Sequence, residues 1–407
     1  MRLAALLCLA ALLAGCGADP YEGKTRVRIW HTKDSAERAN LERVVAEYNA
    51  QHTDRVVEVL WRETEDLRNL FIIASVGGKG PELVYGASDN VSLFAMTETV
   101  RPLGDLFSDE FFEQFTEDGV VSWEGDTLMV ADQLGAYLTM VVNQDLMPNP
   151  PASLDSLIVW GQNFTEDTNG DGRPDRYAIT WNYTEPFFFV PFLTAFGGWV
   201  MDDDGRPTLD TEATVEAIQF ILDLRDKYQI IPNEADYNIS EMLFKDNRAA
   251  AIINGPWAFA GYGEAGVNYD LVSIPPIEPG ARWPAPMVSP RGYSVNANVS
   301  DEDLPIVIEV LEYLVSEEMQ RIQVDLDVIP TLRRVMESPQ VQDNPRLRSA
   351  LLQVQRGRAM PIAPAMRQVW DGMRGPYQLV MSGDVTAEEG ARMMQEQVEK
   401  RIADTFL

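Results

Sequence analysis

The period of the apolar positions changes repeatedly along the chain, and each change predicts an element. Val27-Arg28-Ile29-Trp30 alternates as a strand does, whereas Leu41, Val44, Val45 and Tyr48 recur at the spacing of a helix with one buried face. Residues 56–61 predict a second strand. Thr64 caps a second helix whose Leu67, Leu70, Phe71 and Ala74 share a face and which Gly77-Gly78 ends; residues 82–85 predict a third strand. A β-α-β-α-β order requires parallel strands with right-handed crossovers, and open sheets of that kind gather ligands beyond the C-terminal ends of their strands.

The order then restarts. Residues 128–143 are apolar and rich in β-formers, and the loop Met147-Pro148-Asn149-Pro150-Pro151 leads to a helix near 154–164. A strand at 177–181, an aromatic helix from Glu185, a long helix carrying Val215, Ile218 and Leu222, and a strand at 249–254 make a second α/β unit. Proline-rich 274–286 precedes a strand near 293–296, and helices occupy nearly everything from Leu304 onward. Two units agree with the length, because 407 residues exceed the roughly 250–300 that one core supports.

Composition narrows the partners. With 63 Asp and Glu against 33 Lys and Arg the formal charge is −30, which repels nucleic acid and anionic headgroups, and a monomer is expected. The only cysteines, Cys8 and Cys16, lie in the first 16 residues, leaving the body without a disulfide or thiolate site. Met1-Arg2, an apolar run over 3–13 and Leu13-Ala14-Gly15-Cys16 read as a signal peptide, too short to span a bilayer. The segment resembles a bacterial lipoprotein signal over 1–15, in which Cys16 is lipidated and 16–23 forms the tether. That resemblance implies a body outside the cell membrane on a lipid anchor, in the cell envelope, facing the periplasm or the exterior.

Chemical motifs are sparse. Two histidines, His31 and His52, are too few for a histidine metal site and leave little for a Ser-His-Asp triad; G-x-S-x-G and the phosphate-binding G-x-x-x-x-G-K-[ST] are both missing. Gly261 to Gly266 satisfies G-x-G-x-x-G but follows a helix start after Pro256, so it reads as a chance turn. Asp167, Asn169, Asp171 and Asp175, with Arg173 between them, set oxygen ligands in the order of a calcium loop, with Ala178 where a bidentate Glu would close it. The alternative is an Asx/Gly turn held by its own side chains. The cofactor expectation is therefore none beyond a structural Ca2+. Among the aromatics, Trp257 stands out, since Asn254-Gly255-Pro256-Trp257 follows a strand and Pro256 suits a first helical turn.

At Ala250-Ala251-Ile252-Ile253-Asn254-Gly255-Pro256-Trp257-Ala258, at Asn143-Gln144-Asp145-Leu146-Met147-Pro148-Asn149-Pro150-Pro151, and at Thr184-Glu185-Pro186-Phe187 with Gly197-Gly198, the chain resembles the extracellular solute-binding proteins (family 1) of bacterial ABC importers, in their maltose-binding branch. The resemblance covers essentially the whole chain. It implies a periplasmic-binding-protein-like α/β fold whose two lobes, 24–135 with 290–340 and 136–289 with 341–407, are joined by a multi-strand hinge around a ligand cleft. It places Asp34, Asp89, Glu185, Trp257, Trp370 and Arg374 at sugar-contacting positions. Ser35, Gly86, Asn90, Ala136 and Phe187 stand where that branch has Lys, Trp, Arg, Glu and Tyr, so Ser35, Asn90 and Phe187 join the candidate set. The implied function is binding of a di- or oligosaccharide, without catalysis, for delivery to ABC permease subunits. A secreted polysaccharide-active enzyme, the same fold with a non-sugar solute, and a surface adhesion module that never closes remain alternatives.

Calcium is expected to raise the melting temperature of the protein. An equal rise in an Asp171→Ala variant would show that the 167–175 loop is not its site.

Overall fold

A computed structural model describes residues 21–33, 35–167, 169–170 and 174–406; the side chains of Ser35 and Glu65 are also outside the description. The leader, Cys16, Asp34, Asp171 and Arg173 therefore lie outside the described residues. Among those described, no helix is long and apolar enough to cross a membrane.

Strands β1 (Thr25–His31), β2 (Arg55–Trp61) and β3 (Leu83–Ala87) pair in parallel with β1 in the centre, joined by helices α1 (Ser35–Gln51) and α2 (Thr64–Val76). Val27 and Ile29 of β1 are buried with Leu41, Val44, Val45 and Tyr48 of α1, the face set by the helical spacing of those residues. The sheet is mixed beyond this parallel core. Strand β10 (Met287–Val295) runs antiparallel to β3 on one side and to β5 (Asp126–Ala136) on the other, and β4 (Val120–Trp123) and β11 (Ile329–Pro330) flank β5. The second sheet holds β6 (Thr139–Asn143) between β8 (Ala249–Asn254) and β9 (Tyr269–Val272), both antiparallel to it, with β7 (Tyr177–Thr180) parallel to β8. Covered by helices on its faces, β8 is buried along its whole length, which is why it reads as an unbroken apolar run.

Residues 128–143, one apolar stretch in the sequence, are two strands in two sheets. Tyr137 and Leu138, both buried, carry the chain from β5 to β6. It returns from β9 through 273–286 to β10, where Ser289 pairs with Ala136, and Met287 and Val288 pair in parallel with β12 (Arg358–Ala359). The connections between the sheets thus lie side by side, an arrangement that lets two lobes rotate about a common line. Tyr269 of β9 reaches across to the first lobe, its hydroxyl donating to Asp327 Oδ2 at 2.9 Å.

At the C-terminal end of β1 a charged cluster is buried. Lys33 Nζ donates to Tyr85 Oη (2.8 Å) and Asp132 Oδ2 (2.9 Å), and the Tyr85 hydroxyl donates to Asp132 Oδ1 (3.0 Å). Arg291 of β10 donates through Nη2 to the Thr32 carbonyl and hydroxyl, each at 3.0 Å, and faces Glu37 of α1 at 3.4 Å. Two cations against two anions satisfy the rule that buried charge must be paired. They tie the segment leaving β1 to strands β3, β5 and β10.

His31 stands beside this cluster. Burial, together with Lys33, Arg38 and Arg291, holds its imidazole down to about 3 from the usual 6.5. The native site refuses a proton that the unfolded chain accepts, so its contribution to stability is intact above about 6.5 and is lost as pH falls toward 3. Denaturant melts of a His31→Gln variant are expected to depend less steeply on pH between about 6.5 and 5, above the ordinary carboxylate range. Equal slopes for the two proteins would show that His31 titrates normally.

Candidate functional site

A cleft of about 180 Å3 opens between the lobes. The first lobe contributes Thr64 and Arg68 from α2 and Ala87, Asp89 and Asn90 from the end of β3; the second contributes Glu185, Phe187, Met360, Arg367, Trp370 and Arg374. Six residues singled out in the sequence, Asp89, Asn90, Glu185, Phe187, Trp370 and Arg374, line this one space, and Trp257 adjoins it through Phe187. Asp34 lies outside the described residues, and Ser35 opens α1 with its side chain undescribed.

Each wall follows from local structure. A one-turn 3-10 segment over Ser88–Asn90 turns Asp89 and Asn90 into the cleft at the C-terminal end of β3. Ser88 anchors that turn, its backbone N–H and hydroxyl meeting Ser289 Oγ of β10 at 3.3 and 2.8 Å, and Asn90 Nδ2 donates to the Ala87 carbonyl at 3.2 Å. Gly86 is buried in β3.

On the second lobe, helix α3 (Pro186–Ala195) begins with proline in its first turn and with Glu185 as a cap whose carboxylate makes no capping bond. That carboxylate instead takes both arms of Arg374, from Nε and Nη2 at 3.0 Å each, the paired geometry a guanidinium favours. Phe188 and Phe189 turn into the core while Phe187 stays half-buried. Phe187 stands 6.3 Å from the Trp257 ring and 6.1 Å, edge to face, from Trp370, within the range where aromatic pairs attract.

Trp257 is placed by its own turn. Helix α4 (Pro256–Glu264) has Gly255 as its cap, and a β-carbon at Gly255 would fall 2.1 Å from the indole, so the ring lies folded over that residue. Beneath it, Asn254 Nδ2 donates to Glu241 Oε1 and Tyr262 Oη at 2.8 Å each, and Asn254 Oδ1 accepts from the Gly255 N–H at 2.9 Å. Trp370 belongs to helix α5 (Met366–Ser382), on which Arg367, Asp371 and Arg374 follow at i, i+4 and i+7. Arg367 Nε donates to Asp371 Oδ2 at 3.0 Å, and Asp371 Oδ1 is 3.6 Å from Arg374 Nη1.

Sequence reasoning missed Thr64, Arg68, Ala87, Met360 and Arg367. For one of them a signal existed: Arg367 precedes Trp370 by one turn on α5. The 167–175 loop is held in its described part by Asp167 Oδ1 accepting from the Gly170 N–H (2.7 Å) and by Asp175 accepting from Asn169 (2.9 and 3.1 Å). No group of three or more candidate metal ligands occurs among the described residues.

Residues 43–349 match the family model described as bacterial extracellular solute-binding protein. The maltotriose-binding protein of Pyrococcus abyssi is 26% identical over 386 residues, 93% of this chain and 83% of the relative. The maltodextrin-binding protein MdxE of Bacillus subtilis is 21% identical over 98% of this chain and 96% of its own. Among solved structures, the maltose/maltodextrin-binding domain MalE from Bdellovibrio bacteriovorus bound to maltotriose superposes with a TM-score of 0.89 at 38% identity, covering 93% of this chain and all of that one.

Replacing Gly255 by alanine is expected to push the Trp257 indole off Phe187. The near-ultraviolet circular dichroism should change while the far-ultraviolet signal does not; unchanged aromatic bands would show that the turn absorbs the methyl group.

Proposed function

The chain belongs to the bacterial extracellular solute-binding protein family, and from that premise we propose that it binds an oligosaccharide of the maltodextrin class between its lobes and hands it, chemically unchanged, to an ABC permease. The carrying observation is the aromatic row Trp257, Phe187 and Trp370 beside fixed hydrogen-bonding groups in one interlobe cleft. A pyranose offers apolar C–H faces and a rim of hydroxyls. Aromatic rings suit the faces, and Glu185, Arg374, Asp89 and Asn90 suit the rim. The Bdellovibrio neighbour, bound to maltotriose, and the Pyrococcus relative, named for it, support the sugar class.

The mechanism is closure without catalysis. A ligand stabilises the closed arrangement only by the contacts it makes with both lobes at once, so its differential affinity sets the closed population. Glu185 and Arg374 satisfy each other before the ligand arrives, so neither enters the cleft as an unpaired charge. Hydroxyls of the sugar then use the remaining lone pairs and N–H groups. Lipidation at Cys16 keeps the protein at the membrane surface, near the permease, as a monomer facing the periplasm or the exterior; a relative in Streptococcus pneumoniae is named as a lipoprotein.

Titration calorimetry with maltotriose is expected to show binding that falls about ten-fold or more in Trp257→Ala, the loss typical of an aromatic anchor. Small-angle scattering should show compaction on adding the sugar. Undiminished affinity in the variant would remove Trp257 from the site, and new reducing ends appearing in a polysaccharide incubation would favour an enzyme.

A further inference from the structure

Away from the cleft, three segments distant in sequence meet on the second lobe: 194–199 after α3, 282–286 in the return from β9, and 353–358, where the helix Pro345–Arg356 runs into β12. They are pinned to one another. Thr194 Oγ accepts from the Ala285 N–H at 2.8 Å and donates to the Ala285 carbonyl at 2.9 Å, the Arg358 N–H donates to the Pro286 carbonyl at 2.9 Å, and Gln353 Nε2 donates to the Pro284 carbonyl at 3.4 Å.

This junction carries three arginines, and each guanidinium rests on a flat support. Arg356 Cζ lies 3.4 Å from the centre of the Trp283 ring and Arg358 Cζ 4.2 Å from that of Trp199. Gly197, at φ +93°, supplies the third support, since a β-carbon there would stand 3.5 Å from Arg282 Cζ. A carboxylate partner occupies a guanidinium's N–H groups, whereas stacking leaves them pointing outward in the guanidinium plane. Elsewhere on this acidic protein arginines face carboxylates, as Arg28 does Glu82, Arg176 Glu166 and Arg392 Glu396. Among the described residues, none of the three side chains at the junction donates a hydrogen bond or joins an ion pair, and Glu278, four positions before Arg282, does not reach it. Burial pushes the Arg356 guanidinium down, and no carboxylate raises it. Positive charge is thus concentrated and held in place on a molecule of formal charge −30.

The size of the ligand follows from spacing and screening. Gly197 and Trp199 are two residues apart, at most about 7 Å along the chain, so Arg282 and Arg358 lie over neighbouring positions, with Arg356 on the indole next to Arg282. Forks spread over three supports call for linked oxyanionic groups. Salt screens charge within about 8 Å at physiological strength, so a small anion here senses the arginines and little of the remote acidic surface. A membrane or an acidic protein covering the junction would also press against the carboxylates around it.

We propose that Arg282, Arg356 and Arg358, mounted on Gly197, Trp283 and Trp199, form a site for a small free oligoanion of the condensed-phosphate class. None of these residues lines the interlobe cleft, so the site is separate from the sugar's. Its ligand ties the return segment 282–286 to β12, both of which lie on the connections between the sheets.

The test is calorimetry of sodium tripolyphosphate with the full chain, at fixed ionic strength and without divalent cations, using wild type, Arg282→Gln, Arg356→Gln and Arg358→Gln, with Arg392→Gln as a control at a paired arginine and a melting-temperature check of each. Affinity is expected to fall about ten-fold in each junction variant, the loss of one charge-assisted hydrogen bond, and to stay unchanged in Arg392→Gln. Arg358→Lys, a point charge without a fork, should recover part of the loss. Orthophosphate, which cannot reach all three forks, should bind more weakly than tripolyphosphate. Equal tripolyphosphate affinity in wild type and the three junction variants would overturn the site. So would retention of the protein on phosphatidylglycerol vesicles or on polyglutamate in the absence of any tripolyphosphate binding, which would assign the arginines to a membrane or to an acidic protein instead.

Discussion

Neither lobe holds a complete binding site. One wall of the cleft hangs from the end of β3 and from α2, the other from α3, α4 and α5, and the two are joined by connections that run side by side through Tyr137 and Leu138, through 273–286 and into β12. Any molecule between the walls therefore changes the relative stability of two arrangements of the chain, and it does so only through groups it touches on both sides. The buried charges at the end of β1 serve this constraint. Lys33, Asp132, Arg291 and Glu37 tie the segment after β1 to strands β5 and β10 of the same sheet.

Local rules position the second wall with equal economy. Proline in the first turn of α3 and of α4 fixes where each helix starts, and so where Phe187 and Trp257 emerge. Glycine at position 255 is demanded by the indole that covers it. The Asn254, Glu241 and Tyr262 bonds hold that turn from beneath. The aromatic surface is thereby built by backbone geometry first and by ring-to-ring contact second.

Much of this was legible in the sequence, and the residues say why. The elements of the parallel core were read from the spacing of their apolar residues: α1 buries the face its helical spacing marks, and Leu67 and Phe71 of α2 are buried, although Leu70, expected on the same face, is exposed. Trp257 was singled out because it follows a strand and a first-turn proline, where position along the chain foretells position in space, whereas Asp89, Glu185 and Phe187 came from the family resemblance. The split of 128–143 between two sheets was not visible, since a continuous apolar run looks the same whether it serves one core or two. Nor was Arg68, whose neighbours Leu67 and Phe71 mark a core face and give no sign that the side chain between them lines the cleft. Long-range pairings such as Lys33 with Asp132, nearly a hundred positions apart, leave no local trace.

The second wall has a kinetic consequence. Its rings and its Glu185 with Arg374 pair are assembled within one lobe, so a ligand has a prepared surface to land on before any rotation takes place. For a molecule that meets that lobe first, closure is a separate, unimolecular event. The dwell time of the captured molecule is set by the smaller, more polar wall that arrives second. Substitutions at Asp89 or Asn90 would thus be felt in how long the molecule stays, and those at the aromatic row in how often it is caught.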